Sequence, residues 1–252
     1  MKNELHTVPI LDAFRAGDEC PFCFAERELE HKAIDFTVGV SSYMAPEIRV
    51  LTNKRGFCGH HMKMMYQYGN TIGNALILQS YMEIMREELA EHAGSYVPAP
   101  RNLLTKYKKV RPEDASDTVK WLKEKRSTCF VCEKIRNAYD RYLDTFFSML
   151  KEPEFRQLVE EGKGFCMRHF TDLLEKSETQ VPAHLVDWFY PTVFRLMEQN
   201  LQRVQEDIDW FVTMFDYRNG GQDWKNSRDA VPRAMQKING LYPADPVYKK
   251  KD

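Results

Sequence analysis

The stretch PTVFRLMEQNLQRVQEDIDWFVTMF, residues 191–215, decides the fold class. Its apolar residues Val193, Met197, Leu201, Val204, Ile208, Phe211 and Phe215 recur at steps of 4-4-3-4-3-4. That is the period of one buried helix face and not the alternation of a strand. The spacing predicts a helix over 185–217 that stops at Asn219-Gly220-Gly221, with Pro191 starting it or kinking it. A second stripe, Ala75, Leu78, Met82, Met85 and Leu89, predicts another helix with a buried face, ended by Gly94. Further helices are expected over 21–40, 58–68, 117–126, 130–150 and 164–177. A short last one should follow Ser227 as N-cap, with Pro232 near its first turn. Strand signals are nearly absent, so the expected fold is an all-α helical bundle.

Cysteine positions give that bundle an organisation. Cys20-Pro21-Phe22-Cys23 is followed 34 residues later by Cys58-Gly59-His60-His61, and Cys129-Phe130-Val131-Cys132 is followed 33 residues later by Cys166-Met167-Arg168-His169. The offsets between halves are 109, 109, 108 and 108. In the same frame Gly56-Phe57-Cys58 matches Gly164-Phe165-Cys166, and Arg27 matches Arg136. Pro46-Glu47-Ile48-Arg49 matches Pro153-Glu154-Phe155-Arg156 with one residue of slippage. An internal repeat explains this, and it consumes all six cysteines. It divides the chain into 1–112, a first repeat with a connector, and 113–252, a second repeat with the long helix and a C-terminal segment. The two are expected to pack as one unit, because the long stripe needs an apolar partner.

A CxxC at a helix start lets two thiolates converge on one ion, and a CxxH supplies a sulfur and an imidazole from one helix face. Helix N-termini favour the thiolate that a metal requires. The expectation is therefore two Cys3His sites. One is formed by Cys20, Cys23, Cys58 and His61, the other by Cys129, Cys132, Cys166 and His169. Because His169 lies three residues after Cys166, its counterpart is His61; His60 is left at the surface or in a supporting role. Zinc, two ions per chain, suits this donor set best, and an iron–sulfur cluster is the competing cofactor. Disulfides in the manner of thioredoxin lack a βαβ context and leave four of the eight residues idle.

Composition narrows the function. Of 252 residues, 43% are hydrophobic and 29% charged, with 36 Lys plus Arg against 37 Asp plus Glu. A net charge of -1 gives no global attraction to nucleic acid or to an acidic membrane. No run approaches the roughly 18 apolar residues of a membrane span. The start lacks a signal-peptide pattern, which points to the cytoplasm and to reduced cysteines. No phosphate loop, nucleophile elbow, His-Glu-x-x-His or zinc-deaminase signature occurs. Four protein ligands also leave no position for a reactive water.

Several features have an ordinary reading. Lys106, Lys108, Lys109 and Arg111 around Tyr107 read as a solvated connector, Lys249-Lys250-Lys251 as an end, and Met62, Met64 and Met65 as core filler. Asp216-Tyr217-Arg218, Trp224-Lys225-Asn226-Ser227-Arg228 and Pro232-Arg233 could line an anion or partner pocket. Their plainer role is a Trp that anchors the last helix.

The chain resembles, almost end to end, a family of unknown function from clostridia-type anaerobic bacteria. The likeness is carried by the doubled cysteine–histidine pattern and by Val8 to Phe14, Thr52-Asn53 before Gly56-Phe57-Cys58, Asp140 to Phe147, and Trp224 to Lys237. It implies a soluble bacterial protein with these boundaries and site residues, and it supplies no function. The leading expectation is a non-enzymatic scaffold or interaction protein with a protein or small-molecule partner. An iron–sulfur or thiol-based redox protein comes second, and a binder or enzyme with a pocket between the repeats third.

Overall fold

The computed structural model describes residues 7–97, 115–240 and 242–243. The basic run at 106–111 and the lysine tail at 249–251 lie outside them. Among the described residues there are twelve α-helices and no strand, so the fold is all-α. They are α1 (Val8–Arg15), α2 (Pro21–Thr37), α3 (Val40–Tyr43), α4 (Pro46–Arg55), α5 (Gly59–Tyr68), α6 (Thr71–Ser95), α7 (Asp117–Ser127), α8 (Phe130–Met149), α9 (Pro153–Glu160), α10 (Met167–Gln180), α11 (Val186–Thr213) and α12 (Ala230–Asn239). Four short ones were not expected as helices: α3 is a single turn of four residues, and the others are α1, α4 and α9. At eight to ten residues these last three show too few turns for a periodic signal. Proline at the first turn of each starts them.

The chain forms two compact units, and they do not follow the sequential division at 112/113. Residues 7–29 with 137–240 make one, and residues 30–97 with 115–136 make the other. Both boundaries fall inside helices: α2 and α8 each begin in one unit and end in the other.

Unit one is built round aromatic rings. Phe22, Phe146, Phe155 and Phe165 are fully buried and join the half-buried Phe14, with ring centroids 5.3–6.4 Å apart. Helix α11 lays Phe189, Val193, Leu196 and Met197 on this core. The long stripe is therefore buried only in part. Leu201 and Phe215 are exposed, and α11 ends at Thr213, earlier than predicted. Pro191 lies inside the helix. Beyond Val204 the burial runs out, and ring contacts of Phe211 and Phe215 with Trp224 take its place. Trp224 packs on the end of α11, but Arg233 of the same segment is not in water: it is buried against Asp207 and Asp229. Ser227 is not the cap: Asp229 occupies that position, and the Ser227 hydroxyl donates back to the Trp224 carbonyl at 2.7 Å.

Unit two has a smaller core of Ile34, Val38, Phe57, Met64, Met65, Ile77 and Val131, so Met64 and Met65 are filler as expected, whereas Met62 is exposed. The α6 stripe is corrected. Helix α6 buries Gly73, Ile77 and Tyr81 instead, leaving Leu78, Met82 and Leu89 exposed. Steps of four between residues 73, 77 and 81 mark the buried face of α6, which packs on α3 and α4, and Gly73 allows close approach of the Tyr43 ring of α3. Gly94 does not stop α6, which runs to Ser95.

Candidate metal centres

All four motifs start a helix. Cys20 and Cys129 immediately precede α2 and α8, while Cys58 and Cys166 are the N-caps of α5 and α10. The Gly-Phe-Cys approach has a physical reason at each position. Gly56 and Gly164 adopt φ +59° and +73°, in the left-handed region where a side chain is strained. At Gly56 a Cβ would also lie 2.3 Å from the Tyr81 hydroxyl. Phe57 and Phe165 are buried and pin the turn to their cores. The cysteine then caps the helix in extended backbone, with its sulfur at the positive end of the helix dipole.

Each donor group takes the CxxC of one sequence half and the CxxH of the other. In unit one Cys20, Cys23, Cys166 and His169 converge; in unit two Cys58, His61, Cys129 and Cys132 do. The eight predicted residues are all brought into these groups, but the expected pairing within each half is corrected. Cys20 and Cys23 do not meet Cys58 and His61, and Cys129 and Cys132 do not meet Cys166 and His169. Helix α2 has 17 residues, a length of about 25 Å, and it leaves the first CxxC in unit one while the chain continues into unit two. There a backbone bond of 2.9 Å from Phe130 N to the Gly56 carbonyl sets the second CxxC beside the first CxxH.

The two groups share one geometry. His169 Nδ1 lies 3.3, 3.4 and 3.3 Å from the sulfurs of Cys20, Cys23 and Cys166, and the Cys23 and Cys166 sulfurs are 3.6 Å apart. His61 Nδ1 lies 3.2, 3.3 and 3.3 Å from those of Cys58, Cys129 and Cys132, with Cys58 and Cys132 3.9 Å apart. The outer ring nitrogen of each histidine faces a glutamate of α2. His169 Nε2 is 3.2 Å from Glu26, and His61 Nε2 is 3.0 Å from Glu30. A carboxylate there fixes the ring orientation and leaves Nδ1 to the sulfurs.

Crowding sets the protonation of these groups. Burial opposes a charged His61, but hydrogen bonds with Cys129 and Glu30 outweigh it and raise the ring to about 10. His169 rises to about 11 against burial, through its bonds with Cys166, Cys20 and Glu26. Burial would raise Cys129, yet the His61 bond brings it down to about 6. Cys132 is pushed up to about 12 by burial and by neighbouring Cys129 and Cys58. In unit one, Cys166 is lowered by hydrogen bonds with Cys20 and Cys23, while Cys23 is raised by its bonds with Cys166 and Cys20 and by burial. Three thiols round one imidazole compete for one negative charge, and only a cation lets all three ionise.

Residues beyond the motifs support the groups. Glu26 and Glu30 are both held below the ordinary carboxylate range: burial opposes this, and hydrogen bonds with the two histidines outweigh it. They lie three and seven residues after Cys23, a helical spacing that carried the only signal for them. His60 is exposed and lies 2.9 Å from Glu30, outside the sulfur group, as the repeat frame required. In unit one Arg168 holds Glu26 in the equivalent place. Helix α12 braces the turn before Cys20. Gln236 and the Cys20 amide both donate to Asp18, and buried Lys237 donates to the carbonyls of Glu19 and Lys163. The cap of α12, Gly240, brings its carbonyl 3.2 Å from the Cys23 sulfur. These contacts depend on how α12 packs, and spacing carried no sign of them.

An all-α fold with two Cys/His groups that could hold metal ions defines the class of this protein. The chain belongs to the Family of unknown function (DUF6062), which it matches over residues 1–245. It is also similar to an uncharacterized 23.9 kDa protein in the xynA 3′ region of Caldicellulosiruptor sp. (strain Rt8B.4). The two are 20% identical over 205 residues, covering 80% of this chain and 85% of that protein. No solved structure matches. No helix among the described residues is long and apolar enough to cross a membrane.

Proposed function

We propose that the protein is a two-zinc, non-enzymatic scaffold or interaction protein, its ions held as Cys3His sites by Cys20, Cys23, Cys166 and His169 and by Cys58, His61, Cys129 and Cys132. The observation that carries this reading is the edge length of the donor groups. A tetrahedral zinc with bonds of about 2.3 Å to sulfur and about 2.0 Å to nitrogen separates its ligands by about 3.8 Å for S···S and about 3.5 Å for S···N. One S···S edge in each group, 3.6 and 3.9 Å, and the S···N edges of 3.2–3.4 Å fit within a few tenths of an ångström. All four donor atoms of each group lie within 4.8 Å of one another, the span of one ion. A cluster distributes its ligands over several irons, so the spacing favours zinc over iron–sulfur.

Four protein ligands close the coordination shell, and such an ion acts as a cross-link. A structural zinc contributes about 10–16 kcal/mol of apparent binding energy, as much as the whole stability of a domain. Each donor group draws two ligands from each sequence half, so each ion would tie 1–112 to 113–252. The doubled order of CxxC helix, proline-led helix and CxxH helix fits a duplicated ancestral hairpin. A pocket protein is less well supported. A cavity of about 470 Å³ in unit one is lined by Leu11, Arg15, Glu154, Phe155, Gln157, Leu158 and Glu161, none from the Trp224 segment and none able to form a catalytic cysteine or histidine centre.

Metal analysis with an absorption spectrum, on protein purified anaerobically without chelator, tests the reading. About two zinc per chain and a colourless solution are expected. Iron with sulfide, and a visible band bleached by dithionite, would move the protein to the redox class, and metal near zero would end the metal reading.

A further inference from the structure

Building on the two-zinc reading, we propose that His60 and Glu30 form a capture site for a divalent transition-metal ion on the outer side of His61, through which the unit-two donor group, and not that of unit one, exchanges its metal with solution. Glu30 Oε1 lies 2.9 Å from His60 Nε2 and 3.0 Å from His61 Nε2, so three potential ligands converge on one point. They lie within 4.8 Å of one another. The His61 ring is the wall between this point and the sulfurs, with Nδ1 inward and Nε2 outward. On the outer side, His60 is 63% exposed.

Unit one has the same parts with one decisive change. The residue before its ligand histidine is Arg168, which grips Glu26 through both terminal nitrogens. A guanidinium keeps its positive charge and has no lone pair to offer, so it occupies the carboxylate and repels a second cation. Imidazole nitrogen and carboxylate oxygen are instead ordinary ligands for zinc and its neighbours. The inner groups differ in the same sense. Every donor residue of unit one is at most 2% exposed, whereas Cys58 and Cys132 of unit two are half-buried. An ion held by His60, Glu30 and water therefore has accessible sulfurs beside it, and an ion leaving them has a first stop.

The test is the release of zinc from the two-zinc protein to an excess of a chromophoric chelator, followed in time. One equivalent should leave in a fast phase and one in a slow phase. In Cys20→Ser/Cys166→Ser, which keeps only the unit-two ion, the fast phase alone should remain. His60→Arg, an exposed change that copies Arg168, should abolish the fast phase while zinc content stays at two. Arg168→His should give unit one a fast phase of its own. A single rate for both ions, or a fast phase unchanged by His60→Arg, overturns the capture site and leaves the two-zinc reading intact. Zinc near zero in the starting protein overturns both.

Discussion

The crossed pairing makes a prediction that ordinary single substitutions cannot. Serine in place of any one ligand cysteine should lower the zinc content from two to one, whichever way the motifs pair, because an oxygen replaces a soft thiolate. Double substitutions separate the pairings. Cys20 and Cys166 belong to one donor group, so Cys20→Ser/Cys166→Ser should still hold one zinc. Cys20 and Cys58 belong to different groups, so Cys20→Ser/Cys58→Ser should hold none. Pairing within each sequence half would give the reverse counts. Stability should follow. One ion represents about 10–16 kcal/mol of apparent binding, against a typical domain stability of about 5–15 kcal/mol. The first double variant should therefore lose cooperative melting of unit one while unit two keeps its own, and the second should lose both. Metal analysis after gel filtration and urea unfolding followed by circular dichroism supply the readouts. One zinc in Cys20→Ser/Cys58→Ser and none in Cys20→Ser/Cys166→Ser would refute the geometry.

His60→Ala should leave two zinc ions bound, whereas His61→Ala should cost the unit-two ion, both read by metal analysis. Glu26→Gln leaves His169 without its carboxylate and should weaken the unit-one ion by about 10–100-fold in competition with a chelator. Lys237→Ala removes a buried cation from two carbonyls and from Glu19, 3.3 Å away, and should cost about 3–5 kcal/mol in urea unfolding. Gly56→Ala combines a left-handed backbone with a Cβ on the Tyr81 hydroxyl and should cost about 2–5 kcal/mol by the same assay.

Helix existence was legible wherever apolar residues recurred over several turns, as at Val193 to Val204, and the eight donor residues followed from two repeated spacings. Three things were not legible, for different reasons. Two copies of one ligand order can close within or across halves with the same spacing, so Cys20 gives no sign of whether His61 or His169 is its partner. Periodicity marks an amphipathic face without saying whether anything covers it, which is why Leu78, Met82 and Leu89 were expected inside and lie outside. Contacts from distant chain, such as Lys237 with Glu19 or Gly240 with Cys23, have no local pattern at all.

Crossing also fixes an order of events during synthesis. Cys58 and Cys132 are 74 residues apart, while Cys23 must wait for Cys166, 143 residues on. At translation rates of about 5–20 residues per second, the first CxxC emerges some 7–30 s before its partners exist. Until then its thiols can take only water, a foreign ligand or a premature ion shared with Cys58 and His61. Doubling the loop adds only about 0.6 kcal/mol of closure entropy, so the delay is a matter of timing more than of final stability. The donor residues of unit two are all made by Cys132, those of unit one are complete only at His169, and α12, which braces them, follows later.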